Sequence, residues 1–210
     1  MHIRVDRGKT IGQTMKLAII DYGMGNIKSV CNAFTYLGAK PVIVDAPSRF
    51  NADKIIIPGV GSFGDGVKNL APFVPKIKDA VVSGTPVLGI CLGLHMFLDN
   101  SEESPRVPGM GLIKGGVRKL QTRMKLPHIG WNSIKIEKKR CPLFRGLGEE
   151  YVYFVHSYHP MPKENTIAAT ARYGCEVTAA VWKDNIYGTQ FHPEKSGKAG
   201  LKMLKNFLEL

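Results

Sequence analysis

The stretch GICLGLH, residues 89–95, sets Cys91 between glycines at the end of an apolar run, and FHPEKSG, residues 191–197, supplies a histidine and an acid two residues apart. A thiol, an imidazole and a carboxylate are the parts of a nucleophile, the base that takes its proton and the group that orients the base. On an extended stretch His192 and Glu194 point to the same side, so Glu194 can fix the tautomer of His192 while Pro193 stiffens the backbone between them. The chain separation of Cys91 and His192 is no obstacle, because such partners meet in space. Acyl transfer also needs amide donors for an oxyanion, and PGVGSFGDG, residues 58–66, offers glycines able to turn a peptide over. The expected donors are the Leu92 amide and one of Gly59, Val60 and Gly61, each worth about two to three powers of ten in rate. The same loop could cradle phosphate, but it lacks the Lys-Ser/Thr ending of a P-loop and the spacing of a dinucleotide turn. Cys91 has a plain alternative as well: free cysteine is among the most buried residue types, and the heptapeptide also suits a core filler.

The elements that must position these groups follow from the pattern around them. Residues 86–90 read as a short, doubly buried strand and residues 92–98 as the opening turns of an apolar helix, with Cys91 on the hinge. A strand-to-helix turn presents a side chain at the carboxyl end of a parallel sheet and leaves helix amides unpaired, which favours both a thiolate and an oxyanion. The first half alternates strand and helix: strands at 17–23, 41–45 and 54–59, a helix carrying Ile27, Val30, Phe34 and Leu37 up to Gly38, and helical segments around 64–83. Strand-like runs crowd the second half, at 131–137, 151–155, 166–172, 176–182 and 185–191, with a hairpin turn at Asp184-Asn185 and a final surface helix over 197–209 carrying Leu201, Leu204 and Leu208. The expectation is a single α/β domain over 15–210, a mostly parallel central sheet flanked by helices with a more strand-rich C-terminal half. Residues 1–14 are polar and read as an N-terminal extension outside the fold.

At 210 residues and 44% hydrophobic, the composition is that of an ordinary globular protein, without an apolar run of spanning length or a secretory leader. Cys31, Cys91, Cys141 and Cys175 are scattered without metal or disulfide spacing, which fits a reducing cytoplasm. The net charge of +12 invites a nucleic-acid reading, but the basic residues are dispersed apart from Lys138, Lys139 and Arg140 beside Lys135, and no stacking or recognition-helix signature accompanies them. A basic surface suits an acidic protein partner or a phosphorylated metabolite equally well.

Six ordered motifs then carry a resemblance that covers residues 15–210. DYGMGN (21–26), PGVGSFGDG (58–66), GICLGLH (89–95), PHIGWN (127–132), YFVHSY (153–158) and HPEKSG (192–197) are similar to the class I, triad-type glutamine amidotransferases, and more narrowly to the glutaminase subunits of imidazole glycerol phosphate synthase. The resemblance implies hydrolysis of glutamine to glutamate and ammonia through a cysteinyl thioester on Cys91, with His192 and Glu194 completing the triad. It implies a heterodimer in which ammonia passes to a (β/α)8-barrel cyclase subunit that works in histidine biosynthesis, with no cofactor, metal, nucleic acid or membrane. It also implies an oxyanion site from Gly59, Val60, Gly61 and Leu92, in a loop that changes arrangement when the partner binds ligand. Gly61, Gly93, His95, Ser157 and Tyr158 would hold the substrate, and Trp131, Asn132, Tyr153 and Lys195 would face the partner. The family usually has glutamine where His95 stands. A titratable imidazole there leads to the expectation of a pH-sensitive KM for glutamine between pH 6 and 8.

Plainer readings stand beside these. His156 and His159 are expected to be strand-end histidines with ordinary hydrogen bonds rather than metal ligands with His192, Cys31 to be core, and residues 135–140 to be a solvated strand end or turn. Trp131, without the resemblance, reads as core. A different cysteine hydrolase on the same scaffold, or a binding subunit with an idle site, are the competing functions.

Overall fold

The protein is described here by a computed structural model covering residues 15–210; the expected extension, residues 1–14, lies outside the described residues. Among the described residues there are twelve strands and five α-helices, and nine of the strands form one sheet of order β2-β1-β3-β4-β12-β11-β10-β7-β8. Its first half is built from β1 (Leu17–Ile20), β2 (Pro41–Val44), β3 (Lys54–Ile57), β4 (Val87–Ile90) and β12 (Ile186–Thr189), all parallel. The run β1, β3 and β4 is fully buried, because helices cover both faces and each successive residue finds a core on its own side. Leu17 and Ile19 pack with Val30 and Phe34 of α1 (Ile27–Tyr36) and with Met203, Leu204 and Phe207 of α5 (Gly197–Leu208). Ala18 and Ile20 pack on the other side with Phe63 and Leu70 of α2 (Phe63–Leu70) and Ile77 of α3 (Val74–Val82).

The second half is antiparallel: β12 pairs with β11 (Glu176–Lys183), then come β10 (Ile167–Arg172), β7 (His128–Ile136) and β8 (Glu150–His156). The expected strand-rich C-terminal half is therefore continuous with the parallel half in one mixed sheet. The Asp184-Asn185 hairpin joins β11 to β12, with Asp184 at φ 51 and Lys183 paired to Ile186. A separate three-stranded sheet of β5 (Asn100–Ser101), β6 (Gly115–Lys119) and β9 (Tyr158–Pro162) has no counterpart in the sequence reading. Its strands are short, and Gly115, Gly116, Pro160 and Pro162 within them hide the strand pattern.

Two helical expectations are adjusted. The segment around 64–83 is two helices separated by a 3-10 turn at Ala71–Phe73, since Pro72 and Pro75 remove amide donors. The buried face of α5 centres on Met203, Leu204 and Phe207, while Leu201 and Leu208 lie at its margin. No described helix is long and apolar enough to cross a membrane.

Candidate active site

Cys91 follows the last residue of β4 and adopts φ 53, ψ −106, a left-hand backbone state that costs a non-glycine residue about 1–3 kcal/mol. It is held there by its amide, which donates to the Thr189 carbonyl at 2.7 Å, and by its carbonyl, which accepts from the His95 amide at 3.1 Å. The glycines of the motif act through close approach. A Cβ on Gly93 would lie 1.8 Å from the Ile57 carbonyl oxygen, and one on Gly89 would lie 2.7 Å from the Gly93 backbone. The helix α4 that follows is a single turn, Leu92–His95, shorter than the expected 92–98. Met96, Phe97 and Leu98 are all fully buried in an irregular turn against residues 109–113, so the apolar run carries no period that would mark where the helix stops. One turn of helix adds little dipole; what it contributes is its first amides.

His192 arrives from β12, and its position is tied to β8 by its amide, which donates to the Tyr153 carbonyl at 2.9 Å. The acid reaches it by a different route from the one expected. His192 is extended, but Pro193–Lys195 is a 3-10 turn, not a continued strand; proline at its first position starts the turn, and the Lys195 amide closes it onto the His192 carbonyl at 3.0 Å. The outcome is still a 2.8 Å contact between His192 Nδ1 and Glu194 Oε1, with both side chains almost wholly buried. Ser196 locks the turn, its hydroxyl donating to the His192 carbonyl at 2.6 Å and accepting from the Tyr153 amide at 3.0 Å.

Burial by itself lowers the basicity of His192, but interaction with Cys91 and with Glu194 outweighs it and pushes the ring pKa up to about 9. The ring therefore favours its protonated form. Its Nε2 is buried and meets no partner at hydrogen-bond geometry, so the thiol-imidazole contact is looser than a hydrogen bond in this state. Apo sites are often open in this way and tighten on substrate.

Cys91 and His192 line one cavity of about 300 Å³, amino-acid sized, whose wall also includes Val60, Gly61, Leu92, His95, Ser157 and Tyr158. Most of the residues expected to form the site are thus brought together. Gly93 is not on the wall; it permits the close packing behind it. Glu103, Pro127, Val155 and His156 line the cavity as well and were missed. Glu103 sits in the polar segment SEESP, which carries no motif. Its Oε2 accepts from the Phe63 amide at 2.7 Å, which fixes a carboxylate where it can meet an ammonium group. A larger groove lined by Lys135, Lys139, Arg140, Cys141, Pro142 and residues 144–149 contains none of the expected site residues.

The oxyanion donors are not assembled. The Leu92 amide donates to the Gly59 carbonyl at 3.4 Å, so an acceptor, not a second donor, faces it. Turning the Gly59-Val60 peptide over would withdraw that oxygen and substitute the Val60 amide. The loop is pinned just upstream, where the Tyr22 hydroxyl donates to the Pro58 carbonyl at 2.7 Å. Burial and then the neighbouring Cys91 push the Tyr22 hydroxyl above its ordinary range, which keeps it a donor.

His95 does not behave as the expected titrating contact. Burial lowers its pKa to about 4, against a smaller opposing effect of its hydrogen bond to Gln190, so it stays neutral and a pH-sensitive KM from pH 6 to 8 does not follow. His156 and His159 are buried and held by burial near pKa 3 and 4 respectively. His156 Nδ1 donates to the Tyr158 carbonyl at 2.9 Å, which makes its Nε2 the acceptor for His128 Nδ1 at 3.0 Å. Among the described residues no group of three or more His, Cys, Asp or Glu side chains could hold a metal. Cys31 is half-buried at the margin of the core, and Cys141 is buried, its thiol pushed up by burial to about 11.

Trp131 is 56% exposed, not core, and Ile129 and Tyr151 beside it are 57% and 65% exposed. Trp131 meets Tyr153 edge-on, and Lys195 Nζ lies 5.9 Å over the Tyr153 ring. Asn132 is turned inward, its Nδ2 donating to His128 Nε2 at 3.2 Å and to the Arg172 carbonyl at 2.9 Å. Only its Oδ1 is left for an outside contact.

Residues 18–210 match the family described as Glutamine amidotransferase class-I. The chain is 47% identical over 195 residues to the imidazole glycerol phosphate synthase subunit HisH of Methanocaldococcus jannaschii, covering 92% of this chain and 99% of that protein. It is 46% identical to the subunit of the same name from Geobacter sulfurreducens, covering 93% and 99%. Among solved structures, a GMP synthase subunit from Thermoplasma acidophilum aligns with TM-score 0.72 at 21% identity over 94% of both chains. A chain of PurLQS from Thermotoga maritima aligns with TM-score 0.75 at 19% identity over 94% of this chain and 99% of that one.

Proposed function

The chain belongs to the class-I glutamine amidotransferase family and is a glutaminase subunit of the imidazole glycerol phosphate synthase type, and we propose that Cys91, His192 and Glu194 carry the hydrolysis. The Cys91 sulfur attacks the carboxamide carbon of glutamine. His192, oriented by Glu194, gives its proton to the departing ammonia, leaving a glutamyl thioester; the ring then takes a proton from water as the hydroxyl attacks, and glutamate leaves with the sulfur restored. Glu103 receives the substrate ammonium in the cavity. The single observation that carries this reading is a cysteine strained to φ 53 on the wall of a 300 Å³ cavity that it shares with a buried imidazole braced at 2.8 Å by an acid.

Ammonia goes to a (β/α)8-barrel cyclase partner, which docks on the exposed face of Ile129, Trp131, Tyr151 and Tyr153 with Lys195 at its edge. An aromatic patch with a cation at its rim suits an interface core and rim. The Leu92 amide already bonded to the Gly59 carbonyl makes the isolated chain slow, and docking promotes the peptide turn that frees it. The test is glutamate release by the isolated chain, with a cyclase, and with cyclase plus its nucleotide ligand. Strong stimulation, abolished in Cys91→Ala, is expected. Undiminished release by Cys91→Ala would overturn the reading.

A further inference from the structure

Gln190 is completely buried, is absent from the cavity wall, and leaves β12 directly beside the Cys91 turn. Its Nε2 lies 3.7 Å from Cys91 Sγ, and its Oε1 lies 2.7 Å from His95 Nε2. These two contacts determine each other. An amide oxygen only accepts, so His95 must carry its proton on Nε2, and the Gln190 amino group is then left to donate to the sulfur. Lowered by burial to a pKa of about 4, the His95 ring is neutral and has a single proton to assign.

We propose that Gln190, aligned by His95, is a dedicated hydrogen-bond donor to the Cys91 sulfur, and that His95 is a positioning residue for the nucleophile as well as part of the cavity wall. The sulfur then sits between two polar partners delivered by one strand end: Gln190 on the buried side and His192 two residues further on, at the cavity. Gln190 is out of reach of substrate, so its effect falls on the sulfur. A donor that needs no reorganisation stabilises the anion before attack, and hydrogen bonds to charged groups are the stronger class.

This inference rests on Cys91 being the nucleophile, and the experiment separates the two. Iodoacetamide alkylation of the full chain is followed from pH 5 to 10 in wild type, Gln190→Leu, His95→Leu, His95→Gln and the double Gln190→Leu/His95→Leu variant, with Cys91→Ala giving the background of the other three thiols. Glutamate release is measured in parallel with the cyclase present. In Gln190→Leu the alkylation rate at pH 6 is expected to fall about tenfold and its pH midpoint to rise by about one unit. His95→Leu shifts the same way, whereas His95→Gln stays within about twofold of wild type because a carboxamide N–H can supply the same donor. The double variant matches Gln190→Leu rather than adding to it, because both act through one bond; it also avoids the unpaired His95 proton that could unfold the single variant. In Gln190→Leu, whose altered side chain is off the cavity wall, kcat falls and the KM for glutamine holds. A folded Gln190→Leu or double variant whose alkylation profile superimposes on wild type overturns the assignment while leaving Cys91-dependent glutamate release intact. Glutamate release that survives Cys91→Ala overturns the function itself.

Discussion

Replacing Glu194 by glutamine keeps the shape of the His192 brace and removes its charge. In the folded protein burial opposes a proton on His192, yet Cys91 and Glu194 raise its pKa from 6.5 to about 9. At about 1.4 kcal/mol per unit, that gap amounts to about 3 kcal/mol of stability linked to the His192 proton. A raised folded-state value means the contribution is fully present below pH 6.5 and disappears as pH rises through about 9. Cys91 and Glu194 share the rise, so about 3 kcal/mol is the ceiling for the part carried by Glu194. Glu194→Gln should therefore lower the unfolding free energy at pH 6 by up to about 3 kcal/mol, with the difference from wild type shrinking toward zero by pH 10. Above pH 9 wild type also keeps a carboxylate whose Oε2 is buried without a hydrogen-bond partner, which pulls the difference further toward zero. Urea unfolding of both proteins at half-unit pH steps measures it; groups titrating alike in both cancel. A difference constant from pH 6 to 10, or one growing with pH, would refute the idea that Glu194 holds a proton on the ring. In the same variant glutamate release with the cyclase should fall by about two to four powers of ten.

Two further expectations are simpler to check. Trp131→Ala should weaken cyclase binding by about tenfold or more, since exposed aromatic side chains anchor interfaces, and leave the thermal midpoint within a degree or two; titration calorimetry at fixed salt measures the affinity, and an unchanged value places the partner elsewhere. Because burial holds His95 neutral down to a pKa of about 4, the KM for glutamine should be flat from pH 6 to 8 in wild type, and a twofold or greater inflection there, lost in His95→Gln, would show that the ring titrates in the working range.

Much of the site was readable because its chemistry is local to short motifs. The strand 54–57, the strand ending at Ile90 and the glycines around Cys91 are fixed by burial on both faces and by backbone approaches that admit no Cβ. His192 and Glu194 were readable as partners, though the 3-10 turn that joins them was not, because a proline between them is compatible with an extended segment and with the first position of a turn. Glu103 and His156 reached the cavity without any spacing to announce them. Trp131 looked like core by residue type alone, and only its place on the outer part of β7, toward the sheet edge formed by β8, shows it exposed.

What the sequence determined by itself is the set of reacting groups, since a cysteine flanked by glycines at the end of an apolar run and a histidine followed by Pro-Glu are patterns only a few residues long. What only the tertiary structure decided is how those groups are biased: the Gly59 carbonyl opposite the Leu92 amide, the proton on His192, and the orientation of Gln190 by His95. Each of these depends on partners about 33 to 101 residues apart that parallel pairing of β3, β4 and β12 brings within a few ångströms. Hydrogen-bond direction and protonation respond to that local field, to which sequence spacing is blind.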